Sequence, residues 1–225
     1  MTASFATLTI GQAPRSDIMP LLSAYLPAER VRHVGLLDGL DIGQIAERYA
    51  PQQGDKLLVS RLLDGTQVTL GAARVESGLQ EKIRELEATG CEVILLLCTG
   101  EFGRLQAERV LLLEPDRIIP PLISAIVGTH RVGIVVPVAE QVGQQARKWR
   151  QLAAPPIYAV ASPYLADDAA LEQAACTLLR QGAEVVVLDC IGYHQRHRAF
   201  LQARLSVPVL LSNVLVAKLA AELID

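Results

Sequence analysis

Two cysteines, Cys98 and Cys190, stand where runs of apolar residues give out. Residues 92–98 read Glu-Val-Ile-Leu-Leu-Leu-Cys, and residues 184–190 read Glu-Val-Val-Val-Leu-Asp-Cys. A thiol suits acid–base chemistry because its pKa can be tuned toward neutrality, and the thiolate is the reactive form. A cysteine inside a strand or helix is ordinarily an inert small hydrophobe. Cys91, at the start of a buried strand, and Cys176, inside a helix, read that way. Cys98 and Cys190 are each expected between a strand and a helix start, where the N-terminal dipole favours the thiolate. The matching places predict two acid–base groups at equivalent strand ends.

Three segments fall at the carboxyl ends of expected strands, where open α/β sheets bind ligands. They are Gly11 to Asp17, Cys98-Thr99-Gly100-Glu101, and Asp189-Cys190-Ile191-Gly192-Tyr193-His194. Gly11-Gln12-Ala13-Pro14-Arg15 lacks the spacing of a phosphate loop. Arg15 has the fork to take an anionic substrate bidentately, and an ordinary surface arginine is the competing reading. Thr99 and Gly100 offer a hydroxyl and close backbone N–H groups to a carboxylate, or form a plain turn. Asp189 reads as an acid–base group or a turn former. In His194-Gln195-Arg196-His197-Arg198, a cationic helix start beside Cys190 would hold an acid, with a solvated helix face the default reading of Arg196 and Arg198. Cys190, His194 and His197 fit no standard zinc spacing, so no metal is expected.

Composition narrows the class. The chain has 225 residues, 51% of them hydrophobic and 20% charged, which is enough for a core and argues against disorder. Aromatics are 4%, so the core must be aliphatic, as in parallel strands covered by helices. A net charge of -3 suggests no nucleic-acid partner. No apolar run is long enough to span a bilayer, and residues 1–6 lack the basic start of a signal peptide. A cytoplasmic protein with its four cysteines reduced is expected.

The elements that would position these residues alternate. Strands are expected at residues 6–10, 30–37, 56–60, 68–70 and 92–98, with 111–113 ambiguous. Helices are expected at 73–89 and from Pro120 to about Val127, since proline suits a first turn. The pattern then restarts: strand 131–136, helix 139–152, strand 157–161, helix 167–181, strand 184–189, helix 194–204, strand 207–211 and helix 213–223, with Asn213 as its N-cap. Gly90-Cys91-Glu92 and Gly182-Ala183-Glu184 each join a helix to a cysteine-ending strand, the trace an internal duplication would leave. The division predicted is an N-terminal lobe of residues 1–129, with a closing helix 213–225 packing back on it, and a C-terminal lobe of residues 130–212.

The chain resembles the AroM family over essentially its whole length. The resemblance is carried by Leu8-Thr9-Ile10-Gly11, by Leu113-Glu114-Pro115 with Arg117-Ile118 and Pro120-Pro121, and by Val132-Gly133-Ile134-Val135-Val136-Pro137-Val138. It is strongest in Leu188-Asp189-Cys190-Ile191-Gly192-Tyr193-His194-Gln195-Arg196-His197-Arg198 and continues in Pro208-Val209-Leu210-Leu211-Ser212-Asn213-Val214-Leu215. More distantly, the layout is similar to the aspartate/glutamate racemase superfamily. There two pseudo-twofold related α/β lobes, with mainly parallel sheets flanked by helices, each contribute a cysteine to a cleft. Cys98-Thr99 matches part of the first cysteine turn of that superfamily. Cys190 matches the second, with Ile191-Gly192 in place of its Thr-His and His194 displaced along the chain.

The resemblance implies a cofactor-independent, racemase-like isomerase acting on a small carboxylate. One thiolate would remove the α-proton, and the opposing thiol would return one on the other face. Cys98 and Cys190 would be catalytic, with Gly11, Arg15, Thr99, Gly100, Gly192, His194 and Asn213 binding substrate. A homodimer is implied, with no metal or organic cofactor. Superfamily members with one cysteine include decarboxylases and cis–trans isomerases, and AroM relatives do not all keep a cysteine at the position of Cys98. A lyase or isomerase relying on Cys190 alone therefore stays open, as does a non-catalytic small-acid sensor.

Overall fold

The computed structural model describes residues 5–103, 105–165 and 167–224. The chain divides into two compact units, Met1–Pro115 with Ala217–Asp225, and Asp116–Val216. The first unit holds β1 (Phe5–Thr9), α1 (Met19–Leu22), β2 (Val31–Gly35), α2 (Ile42–Tyr49), β3 (Leu57–Arg61), β4 (Gln67–Gly71), α3 (Ala72–Ala88), β5 (Val93–Leu97) and β6 (Leu111–Leu113). Four of these strands form a parallel sheet in the order β2-β1-β5-β6, while β3 and β4 form a separate antiparallel hairpin. β1 and β5 are buried along their whole length, which is why they read as unbroken apolar runs.

The second unit follows with α4 (Pro115–Val127), β7 (Val132–Val136), α5 (Gln145–Lys148), β8 (Ile157–Val160), α6 (Asp168–Arg180), β9 (Val185–Leu188), α7 (Gln195–Gln202), β10 (Val209–Leu211) and the start of α8 (Ser212–Ala221), whose residues from Ala217 on belong to the first unit. Its parallel sheet runs β10-β9-β7-β8. Read from its second strand, each sheet has the same order: second, first, third, fourth. The repeat suspected around Gly90 and Gly182 thus extends to the topology of both sheets. α3 and α6 end alike. Gly90 and Gly182 take positive φ of 81° and 89°, a conformation glycine adopts without strain. The next N–H closes a Schellman bond, Cys91 to Leu86 at 3.2 Å and Ala183 to Leu178 at 3.0 Å.

Several expectations need correction. α4 begins at Pro115, where a missing N–H costs nothing, and Pro120 and Pro121 lie inside it. The helix expected at 139–152 is a 3₁₀ segment, Ala139–Gln144, and the short α5; its apolar positions are too sparse for a continuous face. α2 is an addition, started by Asp41, which accepts from the Gln44 N–H at 2.9 Å in a reciprocal capping box. α8 starts at Ser212, so Asn213 lies in its first turn instead of capping it. Among the described residues no helix is long and apolar enough to cross a membrane.

Candidate active site

The two thiols end equivalent strands. Thr9 of β1 pairs with Leu97 of β5, and Cys98 follows at once. Val135 of β7 pairs with Leu188 of β9, and Asp189 and Cys190 follow. Each cysteine opens the same turn. The Gly100 N–H donates to Cys98 Sγ at 3.3 Å, and the Gly192 N–H donates to Cys190 Sγ at 3.4 Å. A donor aimed at sulfur favours the thiolate over the thiol. Both thiols are buried. The Cys-x-Gly spacing was present in the sequence as Cys98-Thr99-Gly100 and Cys190-Ile191-Gly192. It is the signal that would have extended the duplication past the cysteines.

In the first unit, the β3–β4 hairpin lies over the strand ends. A Cβ on Gly100 would come within 2.5 Å of Leu58 Cδ2, and one on Gly11 within 2.5 Å of the Arg61 carbonyl and closer still to Ser60 Oγ. Gly11 and Gly100 therefore admit the hairpin because they lack side chains. Lys56 Nζ meets Glu101 Oε2 at 3.0 Å, and the Leu63 N–H donates to Gln12 Oε1 at 3.0 Å. Among the described residues no helix starts directly after Cys98, where one was expected. The segment toward β6 is instead tacked onto α3. Glu76 accepts the Gly103 N–H at 2.9 Å, Gln80 accepts that of Gln106 at 2.8 Å, and Glu87 accepts those of Glu108 and Arg109 at 2.7 and 2.8 Å. Side chains of α3 thus satisfy backbone donors of this segment from outside.

Arg15 is buried and forks onto Asp17, with Nε at 2.8 Å and Nη2 at 2.6 Å. Burial alone would raise the Asp17 carboxyl. The hydrogen bond and charge of Arg15, with the charge of Arg61 behind them, outweigh it and hold the pKa below its ordinary value. The bidentate geometry anticipated for a substrate is thus formed with an internal carboxylate.

In the second unit, the ring of Tyr164 covers Gly192. A Cβ there would stand 2.7 Å from the Tyr164 Cζ and 2.8 Å from its hydroxyl. That hydroxyl lies 3.6 Å from Cys190 Sγ. Next to the cysteine, Asp189 is wholly buried against Lys148 at 2.6 Å and accepts from Ser212 Oγ at 3.1 Å. Tyr158 has its pKa pushed up to about 12 by burial and by the charge of Asp189. Asn213 ties α8 to the cysteine turn. Its Nδ2 donates to the Ile191 carbonyl at 2.9 Å and to that of Tyr193, while its buried Oδ1 has no hydrogen-bond partner among the described residues.

α7 opens after Cys190, as expected. The His194 N–H donates to His197 Nδ1 at 3.0 Å, so that nitrogen carries no proton. Burial, then the charges of His194 and Arg196, lower the His197 pKa to about 4. Arg196 spends its charge on Asp168 at 2.9 Å, and Arg198 donates to the Val209 carbonyl at 3.0 Å. Both are exposed, which accords with the solvated-face reading. Among the described residues no group of three or more His, Cys, Asp or Glu is arranged to hold a metal ion.

The second unit thus brings Cys190, Gly192 and Asn213 together, with His194 opening the helix that follows. The first unit gathers Cys98, Thr99 and Gly100 beneath the hairpin that also covers Gly11. Tyr164, Asp189 with Lys148, and the hairpin are the parts of these surroundings that spacing alone did not mark.

The description "AroM protein" matches residues 5–224. The chain belongs to the AroM family. No curated protein matches the AroM chain. Among solved structures it is similar to a glutamate racemase isoform from Bacillus anthracis, at 12% identity and a TM-score of 0.65 over 97% of this chain and 80% of that one. It is also similar to allantoin racemase from Pseudomonas fluorescens, at 16% identity and a TM-score of 0.57 over 97% and 88%. Arylmalonate decarboxylase matches at 14% identity and a TM-score of 0.56 over 98% and 91%. At these identities the likeness is one of fold. The AroM chain has an α/β, aspartate/glutamate racemase-like fold of parallel sheets flanked by helices.

Proposed function

We propose that this AroM chain is a cofactor-independent, racemase-like isomerase that moves a proton on a small carboxylate through cysteine. The observation that carries the proposal is the repeated Cys-x-Gly turn, which aims a backbone N–H at each strand-end sulfur. In the two-base form, one thiolate takes the proton from the carbon beside the carboxylate, and the electron pair passes into an enolate. The opposing thiol then protonates the same carbon on its other face. A nearby Thr99 hydroxyl and the turn N–H groups would stabilise the enolate charge as it develops. Asn213 Oδ1, a buried acceptor, suits a donor group on the substrate. Gly11, Gly192 and His194 would shape the binding site. Arg15 enters as a cation shared between Asp17 and the substrate carboxylate.

The test is proton exchange. Amino and hydroxy acids incubated with the protein in deuterium oxide should include at least one that takes up deuterium at its α-carbon. Cys190→Ala should slow that exchange by about 100-fold or more. No exchange with any candidate, or unchanged exchange in Cys190→Ala, overturns the proposal. A second reading, a lyase or isomerase relying on Cys190 alone, is favoured by the Tyr164 hydroxyl, 3.6 Å from the Cys190 sulfur. It expects Cys98→Ser to stay active, whereas the two-base form expects Cys98→Ser to lose racemisation.

A further inference from the structure

We infer that Tyr164 is a positioning residue for Cys190, its hydroxyl donating to the sulfur so that the thiolate is held by two donors and fixed in direction. Three observations carry this. The Tyr164 hydroxyl lies 3.6 Å from Cys190 Sγ, within reach of a hydrogen bond to sulfur. The Gly192 N–H reaches the same sulfur at 3.4 Å. The ring itself rests on Gly192, so the turn that presents the thiol and the residue that donates to it are packed as one piece. Tyr164 is held in turn by its own N–H, which donates to Ser162 Oγ at 3.2 Å.

A thiolate is a pure acceptor, and each donor turned toward it lowers the cost of losing the proton. The other ionisable groups of this region act around that pair. Asp189 precedes the cysteine with its charge held by Lys148, which reaches it from α5. Tyr193 is fully buried and donates to the Ala161 carbonyl. Burial first, then the charges of Cys190, Tyr164 and Asp189, raise the Tyr193 pKa well above its ordinary value, so it stays a neutral phenol. His197 is neutral above about pH 4, and His194 sits at the start of the same helix. Tyr164 brings its hydroxyl to 3.6 Å from that sulfur.

The inference rests on the proposed function only for its choice of Cys190 as the working thiol, and its test needs no turnover. Tyr164→Phe keeps the ring over Gly192 and removes the hydroxyl alone. The Cys190 thiolate is followed by absorbance at 240 nm below about pH 9, as the difference between each protein and its Cys190→Ser counterpart. Relative to the wild-type chain, Tyr164→Phe should move the midpoint to higher pH, leaving about tenfold less thiolate at a fixed pH below it. A merely structural role would not move that midpoint. An unmoved midpoint, one moved to lower pH, or no thiolate step from Cys190 in the wild-type chain overturns the inference. If the midpoint moves but no α-proton exchanges, the isomerase reading fails and the role of Tyr164 stands. If protons exchange and the midpoint is fixed, the role of Tyr164 alone fails.

Discussion

At the end of β5, the Gly100 N–H meets Cys98 Sγ under the side chain of Leu58. At the end of β9, the Gly192 N–H meets Cys190 Sγ under the ring of Tyr164. The turns are alike, as are the sheets that carry them. The covers differ because the connections differ. The first unit places α2, the β3–β4 hairpin and α3 between its second and third strands; the second places only a loop and α6 there. One residue before the thiol, the first unit has Leu97 and the second has Asp189 with Lys148. The lesson is that a repeated topology fixes where a thiol stands, while the unrepeated segments decide what chemistry surrounds it. In the Cys98 turn, Leu58 packs on Gly100. Cys190 has a phenol on its sulfur and a buried ion pair beside it.

The largest effect should come from that ion pair. Lys148→Met leaves the Asp189 carboxylate buried without its cation, which should cost about 3–5 kcal/mol. Adding Asp189→Leu, the residue type of Leu97, should recover most of that loss, because two well-packed apolar groups replace two buried charges. Urea unfolding followed by the fluorescence of Trp149, the one tryptophan and a buried member of the second unit, reads both variants. A double variant no more stable than Lys148→Met would mean that Asp189 is needed for more than its partner. The difference between the two strand ends would then run deeper than charge.

How much of this asymmetry the sequence carried depends on what each feature rests on. The central strands were legible because a parallel strand buried on both faces must be apolar throughout, and residues 93–97 and 132–136 are. The helix stops were legible in Gly90 and Gly182, since a positive φ selects glycine. The cysteine ends of β5 and β9 followed from these. What lies on the cysteines did not. Leu58 and Tyr164 come from other elements, and no local periodicity says which side chain will roof which turn. Arg15 had the right chemistry for a carboxylate, but its nearest one, Asp17, lay two positions away in plain view. The segment after Cys98 is tied down from α3, by the side chains of Glu76, Gln80 and Glu87, which nothing within the segment itself marks.

Acid should distinguish the units next. In the folded chain His197 titrates near 4, below its ordinary 6.5, so between those values the unfolded chain binds the proton and the folded chain does not. Stability from this source is complete above about pH 6.5 and drains as pH falls toward 4, by on the order of 2 kcal/mol. Asp17 works in another window. Its lowered pKa gives the first unit stability that is present above the ordinary carboxylate value of 3.8 and is lost only as pH falls below it. Trp149 fluorescence should therefore report a weakened second unit near pH 5, while the Asp17 contribution is still intact. His197→Gln should flatten that dependence; equal slopes in both proteins would remove histidine from the comparison.

The glycines of the two turns give the smallest effects and the sharpest contrast. A methyl group on Gly100 runs into Leu58 Cδ2, the far end of a flexible side chain, which can rotate away. Gly100→Ala should therefore cost less than about 1 kcal/mol. A methyl group on Gly192 runs into the Tyr164 ring at several atoms at once. An aromatic ring has no flexible end to withdraw, and this one also has its hydroxyl at the Cys190 sulfur. Gly192→Ala should cost about 1–2 kcal/mol, read by urea midpoints. It should also push the hydroxyl off the sulfur and so shift the Cys190 titration in the same direction as Tyr164→Phe. Gly100→Ala meets a side-chain end that can give way and should move the Cys98 titration less. If the two alanine variants behaved alike in both readouts, the covers would be interchangeable, and the difference between the thiols would have to come from Asp189 and Lys148 alone.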